Sequence, residues 1–272
     1  MPAVPVWDPH QYLRHADHRG RAFVDLLARV PEPPGGPAPR IADLGCGPGN
    51  VTTLLAERWP AARITGYDNS PDMLERARKL AGPTSGGGRL DFAHADAVHW
   101  APDPAAPYDL LISNALLQWV PGHTDRFADW IAGLAPGGTF AFQVPGNFDA
   151  PSHALLRELT GSPRWRQRLD GVLRHGDAVR EPAQYLAALA ALGCEVDAWE
   201  TTYLHVLGGD DAVLDWITGT TLRPVLAAFD GDPEERDAFL DEYRIALRRA
   251  YPAAAHGTVL PFRRIFVVAR RS

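Results

Sequence analysis

From residue 40 onward, short apolar runs alternate with stretches whose apolar residues recur at helical spacing. Ile41 to Leu44, Arg63 to Asn69, Arg89 to Asp96, Tyr108 to Asn114 and Thr139 to Val144 each have the length and bounding turn signals of a strand. Between them, helix 51–58 places Val51, Leu54 and Leu55 on one face. Ser70 and Pro71 read as N-cap and first residue of a helix that turns Met73, Leu74 and Ala77 inward. Helix 124–134 aligns Phe127, Trp130, Ile131 and Leu134, and Pro136-Gly137-Gly138 turns it into the fifth strand. This alternation predicts an α/β chain with a parallel sheet.

The rhythm breaks after Pro145-Gly146-Asn147. Residues 148–180 read as helical and arginine-rich, with Arg157, Arg164, Arg166, Arg168, Arg174 and Arg180. Helix 182–192 and strand Cys194 to Tyr203 return to the sheet. Residues 210–251 are helical again, and Asp232-Pro233-Glu234-Glu235 supplies an N-cap, a proline at the first position and a capping-box Glu. Pro261 to Ala269 reads as a final, antiparallel strand. The expectation is one domain over residues 1–272: a Rossmann-like seven-stranded sheet with helical cap insertions at 148–180 and 210–251 over its ligand edge. Residues 31–39 form a stiff proline-rich loop and 82–88 a flexible glycine-rich one.

Composition narrows the partners. The 272-residue chain is 46% hydrophobic, enough for a sizeable core, and its net charge of −6 disfavours nucleic acid and anionic membrane. Two cysteines, Cys46 and Cys194, make no disulfide framework. No run of 18 apolar residues and no signal-peptide core is present, so the chain reads as soluble and cytoplasmic. Composition leaves the oligomeric state open, and no metal site is expected.

The chemistry concentrates in Asp43-Leu44-Gly45-Cys46-Gly47-Pro48-Gly49-Asn50. Glycines let backbone approach a ligand closely, and the helix that follows offers free N–H groups. A dinucleotide fingerprint needs a third glycine or alanine where Asn50 stands, and Asp43 would repel a pyrophosphate. A carboxylate there suits a cation instead. S-Adenosylmethionine carries an ammonium and a sulfonium and no phosphate. The Asp-x-Gly-x-Gly-x-Gly pattern, with Gly45, Cys46, Gly47 and Gly49 in the loop, resembles motif I of the class I methyltransferases. Asp68, beside Asn69 at the end of the second strand, is placed to accept both ribose hydroxyls, and Met73 to lie against the adenine. Asp96 and the backbone of Ala97 are placed to read the adenine edge. Asn114 ends the fourth strand below the methionine moiety. Three polar strand ends on the switch-point side of one sheet point to a ligand.

A second set of residues suggests an acceptor site: Gln118, Trp119 and His123 after the fourth strand, Tyr203 after the sixth, Arg223 in the second cap segment, and one of Arg263 and Arg264 in the last strand. Successive strand residues face opposite ways, so only one of that arginine pair can face the site. Cations, amides and aromatics in an acidic protein suggest a small anionic substrate.

Nearly the whole chain resembles the trans-aconitate methyltransferase family. Trp7-Asp8-Pro9 with Tyr12-Leu13, Ala42 to Asn50, Arg58 to Gly66, Leu117 to Pro121 with His123, Gly193 to Asp197, Thr201-Thr202-Tyr203 with His205, Asp215-Trp216, Leu222-Arg223-Pro224, Phe262 and Arg264-Ile265-Phe266 carry the likeness. The later blocks are the specific ones, since cofactor binding does not demand them. The segment 148–180 departs most from the family. The resemblance implies methyl transfer from S-adenosylmethionine to a carboxylate of trans-aconitate, giving a monomethyl ester. A carboxylate is already ionised at neutral pH, so no catalytic general base is required. Arg223 and Arg264 would hold the distal carboxylates. Gln118, Trp119, His123 and Tyr203 would position the reacting end, and Tyr12 would close over the methionine moiety. Methylation of another small acid, an N-, C- or O-methyltransferase of secondary metabolism, and a non-catalytic S-adenosylmethionine-binding partner remain competing readings.

Overall fold

The computed structural model describes residues 16–173, 178–219 and 221–272. Tyr12 and the Trp7 block, named above, lie outside these residues, as does Arg174. In chain order the elements are α1 (Ala16–Arg29), β1 (Arg40–Leu44), α2 (Thr52–Arg58), β2 (Arg63–Asp68), α3 (Pro71–Ala77), β3 (Gly82–Pro83), β4 (Arg89–His94), β5 (Tyr108–Asn114), α4 (Phe127–Ala132) and β6 (Leu134–Pro145). Then follow α5 (Pro151–Thr160), α6 (Arg166–Leu169), α7 (Pro182–Ala190), β7 (Cys194–Leu207), α8 (Ala212–Thr218), α9 (Arg223–Ala227), α10 (Pro233–Ala250), β8 (Ala253–Ala254) and β9 (Gly257–Arg271).

The strands form one sheet in the order β3-β4-β2-β1-β5-β6-β9-β7, with β8 paired to β9. β1 runs parallel to both β2 and β5, β2 to β4, and β5 to β6, while β9 is antiparallel to β6. Without the two-residue β3 and β8, this is the expected seven-stranded arrangement with an antiparallel last strand. The chain moves outward from β1 through β2 to β4 and then returns to β5 on the other side of β1. That reversal opens a crevice at the carboxyl ends of β1 and β5, where ligands bind in such sheets.

The chain divides into two compact units. One comprises Leu13–Pro145, Ala178–Thr201 and Arg264–Ser272. Its core packs Leu44 and Leu111 with Phe127, Trp130, Phe140, Phe142, Tyr185 and Ile265, all buried. The rings of Phe127, Phe140, Phe142 and Tyr185 meet at centroid separations of 5.0–6.2 Å, the tilted and edge-on contacts that aromatic quadrupoles favour. The other unit contains Gly146–Asp177 and Thr202–Arg263 and has its own core of Leu156, Trp165, Leu169, Trp216, Phe229, Phe239 and Tyr243. Asp232 caps α10 by accepting from the Glu235 N–H. Arg164 pairs with Glu242, and Arg168 with Asp232, on the unit's surface. These arginines dress helices, and exposed pairs of this kind contribute little stability.

Several boundaries differ from the sequence expectation, each for a local reason. The helix expected over 124–134 is a 3-10 turn at His123–Arg126 followed by α4. Tyr108 pairs with Leu134 and Leu110 with Thr139, so Ala135 to Gly138 forms an irregularity within β6 rather than a separate turn. The glycine-rich stretch 82–88 is not loose: Gly82 and Pro83 pair with β4, and the N–H groups of Gly86 and Gly88 both donate to the Pro60 carbonyl. A Cβ on Gly88 would sit 2.2 Å from the Ala62 carbonyl oxygen, which is why glycine stands there. β7 continues past the expected end at Tyr203 to Leu207, so His205 belongs to the strand as well. Tyr203, His205 and Leu207 are buried, and the alternate Leu204 and Val206 are exposed. β9 likewise begins at Gly257, ahead of Pro261.

Among the described residues no helix is long and apolar enough to cross a membrane, and no group of three or more His, Cys, Asp or Glu could hold a metal ion.

Candidate active site

The glycine loop takes its shape from β1 and its neighbours. The N–H groups of Gly45 and Cys46 both donate to the Tyr67 carbonyl, at 2.8 and 2.9 Å, which bends the chain off the end of β1. Gly45, Gly47 and Gly49 all have positive φ, a conformation that L side chains rarely adopt. At Gly45 a Cβ would also strike Leu116 at 2.7 Å, whereas at Gly47 it would meet nothing within 4 Å. Gly47 therefore leaves open space above the loop. Cys46 is buried, its Sγ donates to the Gly47 carbonyl at 3.6 Å, and burial raises its thiol pKa, so it is no nucleophile.

Beneath the loop Asp43 is fully buried. Its Oδ2 accepts from Thr52 Oγ1 at 2.7 Å, while Oδ1 meets no donor among the described residues. Burial raises its pKa to about 7, the Thr52 hydrogen bond opposes this, and the Asp68 charge adds to it. A buried acceptor left unsatisfied costs roughly 1–3 kcal/mol, which a cationic donor would recover. The residues thus fit the ammonium end of S-adenosylmethionine.

Asp68 lies where the parallel register of β1 and β2 predicts, beside the loop. Its Oδ2 accepts from the Gly47 N–H at 2.9 Å and its Oδ1 from the Ser70 N–H at 2.8 Å. Burial raises its pKa, against those backbone hydrogen bonds. Two carboxylate oxygens offer about four lone-pair sites, so acceptor capacity remains for a diol. Asn69 beside it is exposed and Met73 is buried. Asp96 closes a turn through Oδ1, which accepts from the Val98 N–H at 3.0 Å, and Ala97 is buried next to it. Asn114 is buried at the end of β5, and its Oδ1 accepts from Gln143 Nε2.

The acceptor candidates divide between the two units. In the sheet unit, Gln118 and Trp119 sit on a 3-10 turn after β5, where Gln118 Nε2 donates to the Ala115 carbonyl at 2.6 Å. Ala115 holds φ at +56°, rare for a residue with a side chain. His123 is buried with both ring nitrogens engaged: Nε2 lies 2.9 Å from the Tyr185 hydroxyl and Nδ1 3.3 Å from the Val120 carbonyl. Burial lowers its pKa to about 4, so it is neutral, and it acts by holding the 117–123 segment. Arg264 is buried, with Nη1 donating to Gln143 Oε1 at 3.2 Å, whereas Arg263 is half-buried, as strand alternation requires. In the second unit, Tyr203 is buried with its ring parallel to that of His205. Arg223 opens α9, and its Nη1 is buried with no hydrogen-bond partner among the described residues. The structure adds Thr52 and Gln143 to the residues that sequence reasoning named. Gln143 had a signal: a lone amide within Phe140-Ala141-Phe142-Gln143-Val144, where a buried carboxamide must find partners.

The strand order and the unsatisfied carboxylate under a glycine loop define a class I, S-adenosylmethionine-dependent methyltransferase. A family model described as a methyltransferase domain matches residues 41–138. Similar folds include the YcgJ protein of Bacillus subtilis, with a TM-score of 0.54 at 14% identity, covering 94% of this chain and 98% of that one. An S-adenosylmethionine-dependent methyltransferase from Mesorhizobium loti gives 0.51 at 22% identity, covering 91% and 96%. The trans-aconitate 2-methyltransferase of Streptomyces coelicolor is 72% identical over 272 residues, all of this chain and 89% of the relative. Those of Streptomyces avermitilis and Rhodococcus jostii are 68% and 48% identical, over 100% and 97% of this chain and 99% of each relative. The chain belongs to the trans-aconitate 2-methyltransferase family.

Asp68→Asn keeps the size of the side chain and removes its charge. Cofactor binding should weaken by about 1.5–3 kcal/mol, the usual worth of charge-assisted hydrogen bonds, when followed by calorimetry with S-adenosylhomocysteine. An unchanged dissociation constant would remove Asp68 from the site.

Proposed function

We propose that this chain transfers a methyl group from S-adenosylmethionine to a carboxylate oxygen of trans-aconitate, forming a monomethyl ester. The observation that carries this reading is the 72% identity, over all 272 residues, with a relative of that name. S-Adenosylmethionine, when bound, supplies an electrophilic methyl carbon on a sulfonium. Asp43 would hold the ammonium end, Asp68 the ribose hydroxyls, and Asp96 with Ala97 the adenine edge. Asn69 and Met73 would flank the adenosine, and Gly45, Cys46, Gly47 and Gly49 would bring the backbone close to the ligand. Asn114 would face the methionine and acceptor end.

The acceptor is a multiply charged anion, and Nη1 of Arg223, buried with no hydrogen-bond partner among the described residues, is a donor that would suit one. Arg223 is assigned to a distal carboxylate, where it adds binding energy without gripping the reacting oxygen. Gln118, Trp119 and Tyr203 would orient the reacting end, with His123 holding Gln118 and Trp119 in place. The oxygen must lie in line with the methyl carbon at about 3 Å, with water excluded. The oxygen–carbon bond forms as the sulfur–carbon bond breaks, and no proton moves.

Two outcomes test this. Purified protein given S-adenosylmethionine with trans-aconitate, cis-aconitate, citrate, a medium-chain fatty acid or a phenol should methylate trans-aconitate preferentially, as read by mass spectrometry. In the same assay Arg223→Ala should raise the KM for the acid by about 10- to 100-fold, as expected for a lost charged contact, with kcat changed far less. Preference for another acceptor, or an unchanged KM, would overturn the substrate or the Arg223 assignment respectively. Without a catalytic base, and with His123 neutral down to about pH 4, kcat at saturating cofactor should be flat from about pH 6 to 8.5. A steep rise with pH would instead show an acceptor that has to lose a proton.

A further inference from the structure

Three buried polar side chains from three adjacent strands meet on one face of the sheet: Asn114 on β5, Gln143 on β6 and Arg264 on β9. The register brings them together. Asn114 pairs with Gln143, and Gln143 pairs with Phe266, two residues from Arg264 on the same side of β9. Arg264 Nη1 donates to Gln143 Oε1 at 3.2 Å, and Gln143 Nε2 donates to Asn114 Oδ1.

The order of this chain is fixed by its first member. A guanidinium has donors only, so it requires the oxygen of Gln143. Gln143 must then turn its amide nitrogen toward Asn114, and Asn114 must answer with its oxygen. What Asn114 retains for a ligand is Nδ2, which makes no hydrogen bond to a described residue. The next acceptor along the chain, the carbonyl of Ala115, is occupied by Gln118 Nε2 at 2.6 Å. At Asn114 the end of β5 therefore offers a hydrogen-bond donor, its side-chain oxygen being engaged by Gln143.

We propose that Gln143 is a positioning residue for the acceptor: by fixing Asn114 with its N–H rather than its oxygen available, it suits that position to an anionic oxygen. This rests on the reading of Asn114 as facing the methionine and acceptor end. A neutral amide N–H orients a carboxylate without the strong pairing that would blunt its nucleophilicity. The guanidinium charge acts one residue removed, polarising the amides that follow it.

Gln143→Glu is the informative variant. It keeps the bond to Arg264 but sets an acceptor opposite Asn114, whose amide must then turn its nitrogen inward. Gln143→Met removes both hydrogen bonds and leaves Asn114 free to turn either way. For trans-aconitate, kcat/KM should fall at least about tenfold in Gln143→Glu and by less in Gln143→Met, with the Kd of S-adenosylhomocysteine changing by much less than kcat/KM in both. A purely structural role predicts the opposite ranking, since methionine satisfies neither partner. Equal loss in the two variants, a greater loss in Gln143→Met, or cofactor affinity falling in step would overturn the proposal. Neutron diffraction from deuterated wild-type crystals judges the amide order without any substrate. Deuterons on Gln143 Nε2 directed at Asn114 are expected, and deuterons on Asn114 Nδ2 directed at Gln143 would overturn it. If wild type fails to methylate trans-aconitate while the neutron map shows the expected order, the substrate reading falls. The orientation claim is then judged on whichever acid of the panel is methylated, with the same variant ranking.

Discussion

The buried carboxylate of Asp43 is the constraint around which the rest of this site is arranged. A carboxylate with one oxygen bonded to Thr52 and the other meeting no donor among the described residues is costly in a sheet interior. Its cost is visible in a pKa raised to about 7. Hydrophobic packing alone would favour an apolar residue there, and the proposed role of Asp43 toward a cationic ligand accounts for its presence at the end of β1. The glycine loop above it is shaped so that backbone can close over that ligand, and Asp68 steadies the loop through the Gly47 N–H. The acids also oppose one another, since the Asp68 charge raises the Asp43 pKa further. A cationic group arriving there relieves both desolvation and like-charge repulsion.

Strand register does the rest of the positioning. Parallel pairing of β1 with β2 and β5 lines up Asp43, Asp68 and Asn114 at one edge, and antiparallel β9 brings Arg264 across β6 to the same face as Asn114. Loops thus contribute few free choices. Even the turn after β5 is constrained, with Ala115 at positive φ and its carbonyl bonded to Gln118. Unusual backbone of this kind persists only where surrounding bonds over-determine it.

What could be read from the sequence follows the range of the interactions concerned. The carboxyl ends of β1 and β5, the loop, and the Ser70 and Asp232 caps are local or set by sheet topology, and the structure has them where the pattern puts them. Arg264 rather than Arg263 turning inward is strand alternation at work. The contact of His123 with Tyr185 is not legible in the sequence, because the two are 62 residues apart and nothing near either announces it. Glycine content at 82–88 suggested looseness, yet Gly88 is glycine because backbone at Ala61 and Ala62 leaves no room for a Cβ. The expected end of β7 at Tyr203 falls short, although the alternation of Tyr203, His205 and Leu207 with Leu204 and Val206 marks the strand as continuing. Gln143 stands out in the sequence only as a lone amide in an apolar strand, and its meaning depends on Arg264, 121 residues away along the chain.

Whether the cofactor displaces a proton from Asp43 tests the role of this carboxylate most directly. A cation beside this carboxylate should lower its pKa from about 7 toward the ordinary range near 4, so binding at about pH 6.5 should release protons. Titration calorimetry of S-adenosylhomocysteine, in buffers of differing ionisation enthalpy, reads that release as a buffer-dependent heat. Release by the wild-type protein and its loss in Asp43→Asn are expected. A heat independent of buffer in wild type, or an undiminished release in Asp43→Asn, would contradict that role.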